Sequence, residues 1–466
     1  MFVDKKILKK GEALGELLIR PFQAFASREA SGGALLVLVA AIAVIWVNSS
    51  YGYLYEELWR TITGINISHV RFEKSLHFWI NDGIMTIFFF VVGLEIKREL
   101  LVGELASLKQ AILPMVAAAG GMIVPAAIYH FFNMGTPEEK GWGIPMATDI
   151  AFTLGALKLL GKRVPRALVV YIVALAIVDD LGAVLVIAAF YTSAISMHYL
   201  AMSGLIVILL IGINFLGYRN PIPYVLLGVL LWHMVYLSGV HSTIAGVILA
   251  ITIPARSKVD TDEFLSRAEN VLNEFECAGG ACGYSVYTNA DHQAAVHTLE
   301  SMAHKVMPPL IRLEYLLHPW VVFLIVPLFA LANAGVHLEW SKFGTTLMSP
   351  ISLGIILGLF VGKQIGIFGA SWLAVKSRLA DMPRGATMAQ MYGGAILCGI
   401  GFTMSLYIDV LVFHNVPPVL DAGKISVFVG SLLSFAVGTI VLILATMGGT
   451  KQESGASNMR STQKVS

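Results

Sequence analysis

The chain alternates between apolar runs of about 20 residues and short polar segments, and an apolar run of that length is what an α-helix needs to cross a bilayer. The pattern predicts twelve such spans in the 466 residues. The boundary between the seventh and eighth spans is the weakest, because only Ser238 and Gly239 separate them. The predicted limits are 31–48, 76–96, 110–131, 143–160, 167–191, 199–217, 222–237, 239–254, 317–337, 349–375, 389–412 and 424–447.

Composition supports this pattern. The chain is 56% hydrophobic and 13% charged, with a mean hydropathy of +0.74, whereas soluble domains carry about 25% charged residues. The sequence therefore predicts an all-α polytopic membrane protein. The net charge of +2 is too small to indicate a nucleic-acid partner. Most lysines and arginines fall in alternate connecting segments, and the positive-inside rule then places both termini in the cytoplasm.

The polar segments divide the chain into five parts. The basic, amphipathic start is predicted to lie on the cytoplasmic membrane surface. A long polar insert after the eighth span is predicted to form a cytoplasmic helical hairpin, and the polar end of the chain is predicted to be a disordered cytoplasmic tail. The predicted parts are 1–30 (surface segment), 31–254 (spans one to eight), 255–316 (insert), 317–447 (spans nine to twelve) and 448–466 (tail).

Charged residues inside the spans are the clearest functional signal. Asp179 and Asp180 are adjacent in the fifth span, VALAIVDDLGAVLVIAAF, and each carboxylate at a bilayer centre costs about 2.5–3.5 kcal/mol on an insertion scale. Thr148 and Asp149 fall within the fourth span, and Lys363 falls within the tenth. Ionisable groups in spans almost always face a protein interior or a water-filled cavity and mark ion or proton pathways. We therefore predict that these residues form one ion site.

The chemistry of such a site follows from the residue types. Adjacent residues on an α-helix point about 100° apart, so one of the two aspartates can face a cavity while the other faces a neighbouring helix. Two close carboxylates in a low-dielectric site resist joint ionisation, and carboxylate, hydroxyl and carbonyl oxygens are the ligands of small hard cations. Competition between H⁺ and a cation at one site is the chemical requirement for an antiporter, and it needs no cofactor.

A short motif occurs in both halves of the chain: Ile150-Ala-Phe-Thr-Leu-Gly155 is similar to Ile400-Gly-Phe-Thr-Met-Ser405. Both copies lie in apolar segments that contain glycine or proline, which is typical of broken helices in inverted-topology repeats of transporters. The ends of broken helices carry uncompensated dipoles. Asp149 could neutralise the positive ends and Lys363 the negative ends, although direct ion binding by Asp149 is an open alternative.

Seven segments together resemble the NhaA-type bacterial sodium/proton antiporters, and the resemblance covers residues 25–447. It implies twelve helices in inverted repeats, with the fourth and eleventh broken and crossing. It also implies a homodimer in the bacterial inner membrane that exchanges two protons for one Na⁺ or Li⁺ electrogenically. The segments, in chain order, are WINDGIMTIFFFVVGLEIKREL, ATDIAFTLGAL, ALAIVDDLGA, SGVHSTIAGV, HPWVVFLIVPLFALANAGV, GKQIGI and LCGIGFTMS.

The same resemblance implies individual roles. Asp180 is the chief cation and proton carrier, and Asp179 is a ligand or gate that pairs with Lys363. These two aspartates are thus the expected ligands of the transported Na⁺. Thr148 and Asp149 are implied at the crossing of the broken helices.

The resemblance further implies an acid on the external side and a cytoplasmic pH-sensing cluster. Each member of the cluster has an ordinary alternative. Spacings of three and four on the second span suit helix-surface pairing, the histidine before Pro319 could cap a helix, and the histidine of SGVHSTIAGV could be packed and neutral. The external acid is Asp82, and the pH-sensing candidates are Glu95, Arg98, Glu99, His241, Glu314 and His318.

Two other functions are compatible with membrane-buried acids. A sodium-coupled solute symporter can also use inverted repeats, but it needs polar groups for its solute, and few are present within the spans. An intramembrane aspartyl protease could pair Asp149 with Asp180, but it leaves Lys363 unexplained and the chain lacks a GxGD-type signature. The antiporter is the prediction that uses all of the buried charges.

Overall fold

A computed structural model of the chain describes residues 29–67, 70–192, 195–257, 261–275 and 290–462. Nearly all of the predicted surface segment 1–30 lies outside these residues, as does the connection between the two helices of the insert. The structure is predominantly helical. Its α-helices are Glu29–Val47, Gly52–Arg60, Leu76–Phe78, Met85–Val102, Leu108–Asn133, Ile150–Leu160, Arg166–Phe190, Met197–Phe215, Pro221–Leu237, Ile244–Thr252, Thr261–Phe275, Ala290–Val306, Pro309–Trp320, Val326–Asn333, Phe343–Leu347, Pro350–Leu357, Gly369–Lys376, Met388–Leu397, Phe402–Phe413 and Pro417–Thr462.

Non-α segments interrupt several of these helices. Two are 3₁₀ segments, Pro137–Met146 and Gly161–Arg163, and four are π-helical segments, Trp79–Ile84, Val321–Ile325, Gly358–Gly362 and Gln364–Phe368. The strands Ile62–Ile67 and Val70–Ser75 form a two-stranded antiparallel sheet in which Ile62 pairs with Ser75.

Eight helices in the described residues are long and apolar enough to cross a membrane, and the number rises to ten if each of two bent helix pairs is one span. This confirms a polytopic helical membrane protein. The other two predicted spans correspond to Pro221–Leu237, of 17 residues, and Ile244–Thr252, of 9 residues, which are shorter than the usual length of about 20. Length and composition therefore identify up to ten spans in the described residues, and the count of twelve stays a prediction.

The chain forms two compact units. The first consists of Met1–Phe88, Glu99–Ser193 and Pro319–Ser466, and the second consists of Phe89–Arg98 and Ala194–His318. Asp149, Asp179, Asp180 and Lys363, the charged residues of the predicted ion site, belong to the first unit. The helix Pro417–Thr462 continues across most of the segment 448–466, for which composition predicts a disordered tail.

Within the first unit, one membrane-crossing segment is broken near its middle; we call Pro137–Leu160 the first crossing span. Its first part is the 3₁₀ segment Pro137–Met146, which contains Pro145, and its second part is the α-helix Ile150–Leu160. Between them, Ala147 and Asp149 have extended backbones. The predicted start of this span at residue 143 is late, because Pro137, Gly141, Gly143 and Pro145 give the preceding segment the composition of a loop.

A second segment, Met388–Phe413, is also broken, and we call it the second crossing span. The helices Met388–Leu397 and Phe402–Phe413 meet at an angle of 41°. Glycines at the break permit close approach of other chain segments. A Cβ atom at Gly399 would lie 2.4 Å from the Leu359 carbonyl oxygen, and one at Gly401 would lie 3.1 Å from the Ala147 carbonyl oxygen. The break is thus held against two neighbouring spans.

Lys363 lies in the segment Pro350–Lys376, which we call the lysine span. It stands between the two π-helical segments Gly358–Gly362 and Gln364–Phe368; such widened turns occur frequently at functional sites. The lysine span packs closely on the helix Leu108–Asn133. A Cβ atom at Gly366 would lie 2.2 Å from the Gly120 carbonyl oxygen, and one at Gly120 would lie 2.3 Å from the Gly366 carbonyl oxygen. Direct contact of the two backbones fixes the depth of Lys363.

The second unit has its own apolar core, which includes Leu94, Leu210, Tyr224, Leu231 and Leu310. The insert contributes the helices Thr261–Phe275 and Ala290–Val306, which contact each other. The second helix of the predicted hairpin ends at Val306, and a separate helix begins at Pro309. The cause is the Pro308-Pro309 pair, because proline lacks the amide hydrogen that continues a helix.

Replacement of Gly366 by alanine tests the backbone contact. The added methyl group would overlap a carbonyl oxygen, so we expect the variant to lose about 1–3 kcal/mol of stability. Gly369→Ala, in the same span, is the matched control, because a Cβ atom there meets no atom within 4 Å. Thermal unfolding of the purified variants in detergent provides the measurement. Equal stability of the two variants would contradict the close packing of these helices.

Candidate ion-binding site

The two crossing spans meet at their breaks through backbone and threonine contacts. The Asp149 amide donates to the Ile400 carbonyl at 2.7 Å. The Thr148 hydroxyl donates to the Cys398 carbonyl at 2.9 Å, and the Thr153 hydroxyl donates to the Leu397 carbonyl at 3.3 Å. These bonds satisfy carbonyl groups that the broken helix leaves without an intrahelical partner. Two interrupted helices are thereby stable at a depth where water is scarce.

The Asp149 carboxylate caps two helices at once. Its Oδ1 accepts from the Phe152 amide at 3.0 Å, which caps the helix Ile150–Leu160 of its own span. Its Oδ2 accepts from both the amide, at 3.0 Å, and the hydroxyl, at 2.5 Å, of Thr403, near the start of Phe402–Phe413. A negative charge is stabilised at the positive ends of helices. Asp149 therefore lies where the helix-dipole interpretation of the sequence requires it.

Lys363 reaches the same region from the lysine span. Its side chain is fully buried. The Nζ atom donates to the carbonyl of Met146, the last residue of the 3₁₀ segment, and to Asp179 Oδ2 at 2.8 Å. The ammonium thus stabilises the negative end of one half-helix and forms the ion pair expected with Asp179. The carbonyls at the break of the second crossing span accept hydrogen bonds from Thr148 and Thr153, and not from Lys363.

Asp179 and Asp180 lie side by side on the uninterrupted helix Arg166–Phe190, which we call the aspartate helix. Their exposed fractions are 1% and 2%. Asp179 Oδ1 is buried and has no hydrogen-bond partner among the described residues, so only one oxygen of this carboxylate is engaged by protein donors. The structure brings Asp179, Lys363, Thr148 and Asp149 into one connected group, with Asp180 as the next residue on the same helix.

The other predicted site residues lie elsewhere. In the second unit, Arg98 Nη1 donates to Glu314 Oε1 at 2.5 Å, and His241 Nδ1 lies 2.8 Å from the Thr243 hydroxyl. Glu95 is also on the helix Met85–Val102, and His318 is on Pro309–Trp320. In the first unit, Glu99 Oε2 accepts from the Glu104 amide at 3.1 Å. Asp82 lies in the π-helical segment Trp79–Ile84.

Sequence reasoning misses two residues of this region. Thr403, which donates twice to Asp149, belongs to the repeated Phe-Thr motif but is not among the predicted site residues. Asp409 is an acid in the apolar run of the second crossing span and is fully buried. The signal that identifies Asp149, Asp179 and Asp180 applies equally to Asp409.

Buried acids and a buried lysine around two broken, crossing helices define a membrane transporter for a small cation. The family model described as Na⁺/H⁺ antiporter 1 matches residues 23–442. A Na⁺/H⁺ antiporter NhaA of Koribacter versatilis is 46% identical over 437 residues, covering 94% of each chain. NhaA 1 of Saccharophagus degradans is 44% identical over 440 residues, with 94% of each chain covered. NhaA of Oleidesulfovibrio alaskensis is 45% identical over 436 residues, covering 94% of this chain and 96% of that one.

The chain therefore belongs to the NhaA family of Na⁺/H⁺ antiporters. The predicted family is confirmed. Members of this family are transporters and not enzymes, so the protease alternative is excluded. The geometry agrees, because the Asp149 carboxylate is occupied by helix-end donors. The relatives are named as antiporters, and an antiporter differs from a solute symporter in the direction of its coupled fluxes.

Replacement of Lys363 by methionine tests the buried ion pair. The variant leaves Asp179 as a buried carboxylate without its cation, and breaking a buried pair in this way costs about 3–5 kcal/mol. The double variant Lys363→Met, Asp179→Asn removes both charges, so we expect it to regain much of the lost stability. Thermal unfolding in detergent measures both. If the single variant is as stable as the parent, the pair contributes nothing to the fold.

Proposed function

We propose that the protein is an electrogenic antiporter that exports cytoplasmic Na⁺ or Li⁺ in exchange for external protons, with Asp180 as the main carrier. The observation that carries this proposal is the carboxyl group of Asp180, which is only 2% exposed and lies next to the buried Asp179–Lys363 ion pair. Asp149 caps two helices through three donors, and Asp179 holds Lys363. Asp149 and Asp179 thus make contacts that stabilise the fold, and the family resemblance assigns the exchanged ion to Asp180.

Competition for the carboxylates couples the two ions. A small hard cation is bound through oxygen atoms, and in this site Asp180 and Asp179 supply carboxylate oxygens. A carboxyl group that holds a proton cannot bind Na⁺ with the same oxygen in its ionised form. Bound Na⁺ therefore expels protons, and bound protons expel Na⁺. Alternate exposure of one such site to the two sides of the membrane produces exchange.

The exchange ratio follows from the number of proton-binding groups. Asp180 provides one. The second is the Asp179–Lys363 pair: when Na⁺ engages Asp179, Lys363 loses its counter-charge, and we propose that the pair then releases the second proton. Two protons then enter for each Na⁺ that leaves, so one net positive charge moves inward per cycle. The resemblance to the family supports the same ratio.

We propose that the half-helices move relative to each other at the crossing. The two crossing spans are held together at their breaks by a few hydrogen bonds, which involve Thr148, Asp149 and Thr403. A charge change at Asp179 reaches the crossing through Lys363, which also binds the Met146 carbonyl. We propose that this link converts ion binding into a shift of the half-helices, in an arrangement of twelve spans with inverted repeats.

Regulation by pH is assigned to the candidates outside the ion site. Arg98 and Glu314 form an ion pair in which the glutamate side chain is only 10% exposed. Protonation of Glu314 at low pH would break this pair, and the histidines at positions 241 and 318 belong to the residue type that titrates near neutrality. We propose that Glu95 and Glu99 belong to the same cytoplasmic response, and that Asp82 lies on the external route.

The proposed setting follows from composition and resemblance. We propose that the protein lies in the bacterial inner membrane, with both termini in the cytoplasm. A homodimer is proposed through the segment 49–75, which contains the two-stranded sheet. The transported ions are the only small partners that this mechanism requires.

Replacement of Asp180 by asparagine tests the carrier assignment. Asparagine keeps the size of the side chain but cannot exchange a proton, so we expect loss of Na⁺-dependent collapse of the proton gradient in everted vesicles. The protein should still insert and fold, because asparagine needs no buried counter-charge. Asp381→Asn is the control, since Asp381 is exposed in a loop. Normal exchange by the Asp180 variant would remove Asp180 from the carrier role.

A further inference from the structure

The second crossing span carries an acid that the ion site does not use. Asp409, on the helix Phe402–Phe413, has an exposed fraction of 0%. Its carboxylate lies against the bare backbone of Gly423, where an added Cβ atom would fall 2.2 Å from Oδ1. Among the described residues, neither of its oxygens accepts a hydrogen bond. An ionised carboxylate is strongly disfavoured in such a position unless a cation or a donor accompanies it.

A cation lies one residue beyond Gly423. Lys424 is nearly buried, and its Nζ donates to the Gly335 carbonyl at 3.0 Å. Its ammonium and the carboxylate of Asp421 are the charges close enough to act on Asp409 electrostatically. In this arrangement the lysine binds a neutral carbonyl and not the nearby carboxyl group. The hydrogen bond from Lys424 to a carbonyl, in place of an ion pair with Asp409, is favourable when Asp409 holds a proton.

Asp421 acts electrostatically on both members of this pair and is partly exposed to solvent. Its side chain is 32% exposed, and His337 Nδ1 lies 3.9 Å from Asp421 Oδ2. The same histidine places Nε2 3.4 Å from Oε1 of Glu56, a second exposed acid. Asp421, which acts electrostatically on Asp409, thus belongs to a group of titratable side chains that are accessible to water.

The remaining titratable groups around the pair come from each element packed against it. Tyr129, on Leu108–Asn133, lies close enough for Asp409 to act on it electrostatically, and it donates its hydroxyl to the Glu138 carbonyl. His77 is near Lys424. Neither contact places a second cation on the Asp409 carboxylate. The other titratable groups of these elements are Asp82, Glu138, Tyr191 and His414.

We propose that Asp409 and Lys424 form a second proton-binding site, separate from the sodium site. In this proposal Asp409 is a neutral carboxyl group while the Lys424 ammonium bonds to the Gly335 carbonyl. When Asp409 releases its proton to water through Asp421, the ammonium turns from the carbonyl to the new carboxylate and pairs with it. Lysine stays charged throughout, and one proton is the only species exchanged.

This exchange has a mechanical consequence. Asp409 lies on the half-helix whose first turn is held by Asp149, whereas Gly335 follows the helix Val326–Asn333 and Lys424 belongs to Pro417–Thr462. The switch of Lys424 between two acceptors therefore changes which elements are tied together at this end of the half-helix. In the proposed topology this end faces the external side, so external pH would regulate exchange; that consequence rests on the proposed function.

The protonation itself is measured on the purified full chain, independently of transport. Infrared difference spectra across a pH titration detect protonated carboxyl groups directly. We expect a carboxyl band that is absent from Asp409→Asn and retained in the exposed control Asp381→Asn. In Lys424→Met the band should persist to more alkaline pH, because the cation that stabilises the carboxylate is gone. Identical spectra for the parent and the Asp409 variant would overturn the proposal.

Transport supplies the second readout. In right-side-out proteoliposomes with fixed internal pH, Asp409→Asn should flatten the dependence of exchange on external pH, and Asp421→Asn should shift it. An unchanged profile in both variants would remove the regulatory role. The two hypotheses fail differently: normal exchange by Asp180→Asn overturns the proposed carrier and leaves the Asp409 carboxyl band untouched.

Discussion

Two helices cannot end inside a membrane unless other groups satisfy the amides and carbonyls at their ends, and this constraint governs the first unit. Asp149 accepts hydrogen bonds from the amides of Phe152 and Thr403 and thereby satisfies the positive ends of two helices. Lys363 meets the same constraint for a negative end at Met146. The charges that hold the backbone together are thus of the same kind, and in the same place, as those proposed to bind the transported ions. The fold and the ion site depend on one set of buried charges.

The two adjacent aspartates acquire different roles from this arrangement. Asp179 faces the lysine span and is bound by Lys363 at 2.8 Å, while Asp180, the next residue, points about 100° away around the aspartate helix. The position of Lys363 depends in turn on glycines, because Gly120 and Gly366 allow two helix backbones to touch. Small residues permit such close packing in membranes, where apolar side chains gain little by leaving the lipid.

The sequence predicts the buried acids, the lysine and the broken helices, because charges, glycines and prolines are costly within an apolar span and persist there mainly where they have a role. Asp409 carries the same signal and Thr403 belongs to the repeated Phe-Thr motif, but both are missing from the predicted site. The Gly120–Gly366 contact could not be predicted, since glycine is common in membrane helices and only the packing shows which ones meet. The start at Pro137 escapes prediction because a 3₁₀ segment rich in glycine and proline has the composition of a loop.

The central claim is that sodium and protons compete for the carboxylates beside Lys363. It is tested most directly by calorimetric titration of the purified protein with Na⁺ in buffers of different ionisation enthalpy, over a range of pH. The account predicts that Na⁺ binding releases protons and that the apparent affinity falls as the pH is lowered. Binding without proton release, and with an affinity that is independent of pH, would contradict it.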